Sequence, residues 1–253
     1  YCNFTSHTDL TILSDFLDAL EKEMELAGPG FGGSFDTVYI GGGTPSALSP
    51  GQVERVIKGI RKNFRLAPDT EFTLEVNPGD ADLPFLYSLK QLGITRLNLG
   101  VQSFDPMDLS FLARRHTSSQ AVRAVESSRE AGFDHIGLDL IYGLPGQSLE
   151  SWLNTLDRAV SFRPEHLSCY GLTYEPGTRL RRRLQLGRLR QVAEEVERDM
   201  YLATLDALEG AGYWQYEISN YARPGRECRH NLRYWRNLPG IGIGPSAASY
   251  RHG

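Results

Sequence analysis

The sequence predicts an α/β fold with a parallel sheet covered by helices. Three observations lead there. Runs rich in β-branched, leucine and aromatic residues alternate with helix-spaced apolar patterns through residues 35–172. The repeat of roughly 30–40 residues fits βαβ crossovers. The strand runs also read as nearly continuously apolar, as strands buried on both faces do. A parallel barrel or part-barrel explains this pattern best, and an open doubly wound sheet is the runner-up.

The elements follow in order. Leu10, Leu13, Leu17, Leu20 and Met24 stand at helical spacing before Gly28. Phe35 to Ile40 is the first strand. Gly41-Gly42-Gly43-Thr44-Pro45-Ser46 follows it directly, and Ser49-Pro50 then starts a helix as N-cap and first residue. One glycine would serve a tight βα turn. Three, followed by Thr-Pro, present bare backbone to a small polar molecule. The spacing is neither the dinucleotide fingerprint nor a P-loop. Further strands are expected at 71–76, 95–101, 135–141 and 166–172, with helices between them closed at Gly93 and Gly132. Beyond residue 175 the alternation stops. A long helix over about 189–208 is expected, then aromatic- and glycine-rich loops lying over the barrel rim. The chain thus divides into residues 1–175, the barrel, and 176–253, an extension.

Gly42, Gly43, Thr44, Glu75, Gln102, Asp139 and Thr173 fall at or near strand C-termini, where loops of α/β proteins converge on one rim. Carboxylates and an amide there suit a ligand with an ammonium group and hydroxyls, such as an amino acid joined to a ribose. The formal net charge of −4 argues against a nucleic-acid partner. The run Arg181, Arg182, Arg183, Arg188 and Arg190 reads as a solvated helix end or loop. Three cysteines, Cys2, Cys169 and Cys228, point to a reducing, cytoplasmic setting rather than a disulfide scaffold. No apolar run approaches membrane-spanning length. The start at Tyr1 and the end at Gly253 suggest a fragment of a longer protein.

Taken together these residues resemble the radical S-adenosylmethionine (SAM) superfamily, in its HemW and oxygen-independent coproporphyrinogen III oxidase (HemN) branch. Tyr1-Cys2-Asn3-Phe4 resembles the end of the family's Cys-x3-Cys-x2-Cys loop. Gly41 to Pro45 resembles its Gly-Gly-Thr-Pro motif, and Leu140 to Pro145 is close to a branch signature. The resemblance implies a (β/α)6 partial TIM-type barrel whose first strand precedes Tyr1, with a truncated C-terminal extension. It implies a 4Fe–4S cluster with Cys2 as a ligand, and SAM on its open iron, cleaved to a 5′-deoxyadenosyl radical. Tyr1 would pack on adenine. Gly42, Gly43 and Thr44 would meet the amino group through backbone. Arg114 would hold the methionyl carboxylate, and Glu75, Gln102 and Asp139 the amine and ribose hydroxyls. Thr173 and Ala248 align with further SAM contacts. The first two cluster cysteines are absent from this sequence, so the full-length form would carry the complete set.

Two functions follow from the resemblance: a haem-binding chaperone that hands haem to an acceptor protein, or radical decarboxylation of coproporphyrinogen. His230-Asn231-Leu232-Arg233-Tyr234-Trp235 fits the HNxxYW pattern of the chaperone. It places His230 in a haem surface, as axial ligand or pocket residue, with Arg229 and Arg233 available to propionates. The expected partners are SAM and haem or a porphyrinogen, with no nucleic acid and no transmembrane segment.

Overall fold

The computed structural model describes Tyr1, Asn3 and residues 9–250. Helix α1 (Leu13–Ala27) leads into β1 (Phe35–Ile40), α2 (Pro50–Asn63), β2 (Leu66–Val76), α3 (Leu83–Gln91) and β3 (Arg96–Gln102). There follow α4 (Pro106–Phe111), α5 (Ser118–Glu130), β4 (Ile136–Tyr142), α6 (Leu149–Ser161) and β5 (His166–Gly171). The chain continues through α7 (Arg179–Gln185), α8 (Glu194–Gly210), β6 (Trp214–Gln215), β7 (Asn220–Ala222) and α9 (Arg229–Trp235).

Local chemistry sets the helix starts. Ser49 and Thr117 form capping boxes with Gln52 and Gln120, while Asp82, Asp105, Ser148 and Thr178 cap α3, α4, α6 and α7. Each side chain satisfies a backbone N–H that has no partner inside its helix.

The sheet runs β1-β2-β3-β4-β5-β7-β6. β1 to β5 are parallel; β7 pairs antiparallel with both β5 and β6. The result is a curled half-barrel, as the sequence predicts for the first five strands.

The strands are not apolar on both faces. Leu74, Leu97, Leu99, Leu138, Leu140 and Leu167 point outward and are fully buried. They form one core with Leu86 and Leu89 of α3, Ala121 and Val125 of α5, and Trp152 and Leu156 of α6. Each such side chain contributes about 1.5–3 kcal/mol. Alternate positions on the same strands, Thr73, Arg96, Asn98, His166 and Ser168, are polar and also buried. They line the concave face, because successive side chains of a strand point to opposite faces.

Two further expectations are corrected. The helix expected at 189–208 begins at Glu194, because α7 ends separately at Gly187, whose φ of +66° closes it. The last segment does not consist only of rim loops. Its β6–β7 hairpin extends the sheet, and α9 contacts β1. Among the described residues no helix is long and apolar enough to cross a membrane.

Candidate functional site

The β1 glycine loop is exposed at the strand C-terminal rim, anchored by buried Pro45 and Ser46. Ser46 Oγ donates to Asp80 Oδ2 (2.8 Å) and accepts from the Asn77 N–H (3.0 Å), tying this loop to the one after β2. Glu75 stands beneath the glycines. Its carboxylate accepts from the Gly42 N–H (3.2 Å) and the Tyr39 hydroxyl (2.8 Å), and Tyr39 accepts from Asn98 Nδ2 (3.2 Å). A Cβ on Gly41 would stand 2.7 Å from the Tyr39 ring and 2.9 Å from Glu75 Oε1, so only glycine fits above this pair. Gly42, at φ +112°, turns its amide toward Glu75. Thr44 Oγ1 donates to the Gly43 carbonyl (2.5 Å) in the exposed loop. Burial raises the Glu75 pKa above the usual carboxylate range, partly offset by its two donors.

The end of β3 carries an irregularity. Register with β4 shifts between Leu99 and Gln102, and Gln102 takes φ +66°, uncommon for a non-glycine residue. Two side chains from the following loop hold the distorted backbone. Arg114 Nη2 donates to the Gly100 carbonyl (2.9 Å), and His116 Nε2 meets the Val101 carbonyl (3.0 Å). A Cβ on Gly100 would lie 3.1 Å from Gln102 Nε2 and 3.3 Å from Arg114 Nη2, so these two groups flank one point. Arg114 Nη1 also donates to the Tyr1 hydroxyl (3.1 Å). Burial, then the Arg114 charge, lowers the His116 pKa to about 4, so the ring is neutral at pH 7.

Asp139 completes the rim from β4. Its Oδ1 is buried without a hydrogen-bond partner, and so is Arg114 Nε. Burial, reinforced by the Glu75 charge, pushes the Asp139 carboxyl up to about 7. Glu75, Gln102, Arg114 and Asp139 thus draw together a carboxylate held by donors, a buried amide, a guanidinium and a carboxyl with an open oxygen. Such a set can accept from an ammonium or hydroxyls and donate to a carboxylate.

The remaining predicted residues are placed less centrally. Thr173 is exposed past β5, its hydroxyl 3.5 Å from the Gly171 carbonyl. Ala248 lies in an exposed segment joined to α1 by the Gly244 N–H on Glu23 Oε2 (2.9 Å). Cys2 lies outside the described residues. Cys169 and Cys228 are buried free thiols, and burial pushes Cys228 up to about 11. Among the described residues no group of histidines, cysteines and carboxylates is arranged to hold a metal ion.

His230 sits inside the half-barrel. Its ring stacks on Tyr39 (5.2 Å) and meets Tyr234 edge-on (5.2 Å), and Nδ1 lies 3.0 Å from the Thr37 hydroxyl. Burial lowers its pKa. Arg229 and Arg233, expected to be available to propionates, are instead engaged by Asp36 and Asp69. Tyr39, Asn98 and His116 escaped the sequence reading. The signal for Tyr39 and Asn98 was their alternation with apolar neighbours along a strand; nothing local marked His116.

The radical SAM superfamily profile matches residues 1–159, and the chain belongs to that superfamily. Its curled, mostly parallel sheet matches the structure titled "Coproporphyrinogen III oxidase (HemN) from Escherichia coli is a Radical SAM enzyme." The TM-score is 0.85 at 28% identity, over 99% of this chain and 60% of that one. Within the superfamily it falls in the HemW and HemN branch. It is 38% identical to "Heme chaperone HemW" of Mycobacterium tuberculosis (strain CDC 1551 / Oshkosh) over 99% of its own length and 65% of that protein's. The protein of the same name from Bacillus subtilis (strain 168) is also 38% identical, over 99% and 67%. The chain therefore spans about two thirds of the length of these relatives.

Proposed function

We propose that this is the radical SAM portion of a haem-handling protein of the HemW type, located in the cytoplasm. The observation that carries the reading is the rim, where Asp139 Oδ1 and Arg114 Nε are buried and unpartnered beside the Glu75–Gly42 contact. These groups fit SAM. Asp139 would accept from a ribose hydroxyl and Arg114 would take the methionyl carboxylate. Glu75 and the glycine backbone would take the amine, with Gln102 beside them and Tyr1 near the adenine. Thr173 and Ala248 would add outer contacts. Cys2, with two cysteines of the full-length protein, would hold the 4Fe–4S cluster. When bound, the two groups supply one-electron chemistry. This chain's residues orient the ligand and exclude water from it.

The haem part of the reading rests on the names of the relatives and on α9. His230 acts there as a pocket residue: it wedges Tyr39, and Tyr39 holds Glu75. Exposed Tyr234 and Trp235 offer apolar faces outside it. The alternative is oxygen-independent coproporphyrinogen oxidation, favoured by the match to the oxidase structure over 99% of the chain.

The test uses the full-length protein with its cluster reconstituted anaerobically. Haem is titrated while the Soret band is followed, and coproporphyrinogen III is then supplied with SAM and a reductant. Stable haem binding without carbon dioxide release is expected. Release of carbon dioxide with no haem spectrum would assign the oxidase reaction instead.

A further inference from the structure

The arginine run after β5 is largely exposed on α7 and the segment that follows it, as the sequence predicts. Arg179, Arg182, Arg183 and Arg188, with Leu186, line one open pocket of about 460 Å³. Residues 179–190 contain six arginines and no carboxylate. Among the described residues no Asp or Glu forms an ion pair with any of the four that line the pocket. Four exposed guanidinium groups around one opening create a local positive potential that favours an anion between them.

The pocket is fixed to the rim. Leu180 of α7 is buried with Ile141, Leu144 and Leu172 at the ends of β4 and β5, and Leu112 joins them after α4. Tyr1, which bonds Arg114, packs on the same cluster. Arg183 lies over the Phe111 ring at 6.0 Å. The partly exposed members of this cluster, Tyr1, Phe111, Tyr174 and Leu189, are aromatic or apolar, and they are bordered by guanidinium groups without a carboxylate partner among the described residues. A flat, apolar molecule with carboxylates along one edge meets both halves of that description. Guanidinium binds carboxylate through two parallel N–H donors, which the compact ammonium of lysine does not reproduce. Arg229 and Arg233 cannot serve as readily, because Asp36 and Asp69 already occupy them.

We infer that the α7 pocket binds the carboxylate side chains of a tetrapyrrole held at the strand C-terminal rim. The inference rests on the haem-handling reading above.

The experiment compares haem with haem dimethyl ester, in which both carboxylates are masked, on the reconstituted full-length protein. Wild type, Arg182→Gln/Arg183→Gln and Arg182→Lys/Arg183→Lys are titrated, with circular dichroism confirming that each variant is folded. The glutamine pair should bind haem about tenfold or more weakly, the loss of two charge-assisted contacts. The lysine pair should fall between it and wild type. The ester should bind all three proteins alike and weakly. Equal haem affinity of wild type and the glutamine pair, or equal affinity of wild type for haem and its ester, overturns the pocket assignment and leaves the haem-handling reading intact. Displacement of haem by equimolar pyrophosphate makes this a phosphate site and also overturns it. Failure of the wild type to bind haem ends both.

Discussion

Leu97 and Arg96 are neighbours on β3, buried to 0% and 1% exposure, and they face opposite ways. Leu97 joins the outer core with Leu74, Leu99 and Leu138. Arg96 faces the inside of the half-barrel. Its Nη1 donates to the Arg226 carbonyl and lies 3.7 Å from Glu71, while Nε and Nη2 have no partner. The same holds around it: Thr73 Oγ1, Asn98 Oδ1 and His166 Nδ1 are buried and unpartnered. Burying polar atoms without partners costs about 1–3 kcal/mol each. The outer face holds the fold together, and the inner face spends some of that stability to keep a polar interior beneath the rim.

Three substitutions can break or sharpen this contrast. The largest effect belongs to the outer face. Leu138→Ala should lower unfolding stability by about 2–5 kcal/mol in urea denaturation, since it opens a cavity in a closely packed core. A loss under about 1 kcal/mol would mean that the outer core is not the main support.

The middle effect is at the rim and depends on pH. The Asp139 carboxyl titrates near 3.8 when unfolded and is pushed up to about 7 in the fold. A raised carboxyl favours the fold fully below its unfolded value, and that advantage is lost as pH rises through the folded value. Between about pH 4 and 7 wild type should therefore lose stability that Asp139→Asn retains. Three units correspond to about 4 kcal/mol as an upper bound, and with relaxation of the neighbouring groups about half of that is expected. The variant should be more stable than wild type by about 2 kcal/mol at pH 8 and nearly equal to it at pH 4. Parallel stability curves would show that Asp139 is not strained by burial.

The smallest effect belongs to the interior. The Ser168 hydroxyl is buried with only a loose contact to the Asp139 carboxyl; the cost of burying it and the gain from that contact offset, so Ser168→Ala should change stability by no more than about 0.5 kcal/mol. A loss above about 1.5 kcal/mol would reveal a further partner for it, such as an internal water.

The same contrast explains how far the sequence could be read. Most strand and helix positions from Phe35 to Gly171 were legible because apolar spacing, caps such as Ser49 and stops such as Gly93 are local signals; the first five residues of β2 and the short helix α4 were not. The rim was legible through its glycines and through Glu75, Gln102 and Asp139 at strand ends. The inner face was not, because period-2 polar residues in short strands are masked by leucines on the other side. Arg96 and His166 look like surface residues until the sheet curls around them. The β6–β7 hairpin was missed because its strands have two and three residues, too few to show a period. The pairing of Arg233 with Asp36 joins positions far apart in the chain and has no local trace.

That last contact also governs when the fold can be completed. Asp36 and Arg233 stand 197 residues apart, and Thr37 and His230 stand 193 apart. At about 5–20 residues per second, a ribosome needs roughly 10–40 s to get from the first partner to the second. Through that interval β1 has emerged without the helix that covers its inner side. The nascent chain must therefore keep the inner face of β1 out of wrong contacts until nearly the last of these residues leaves the tunnel.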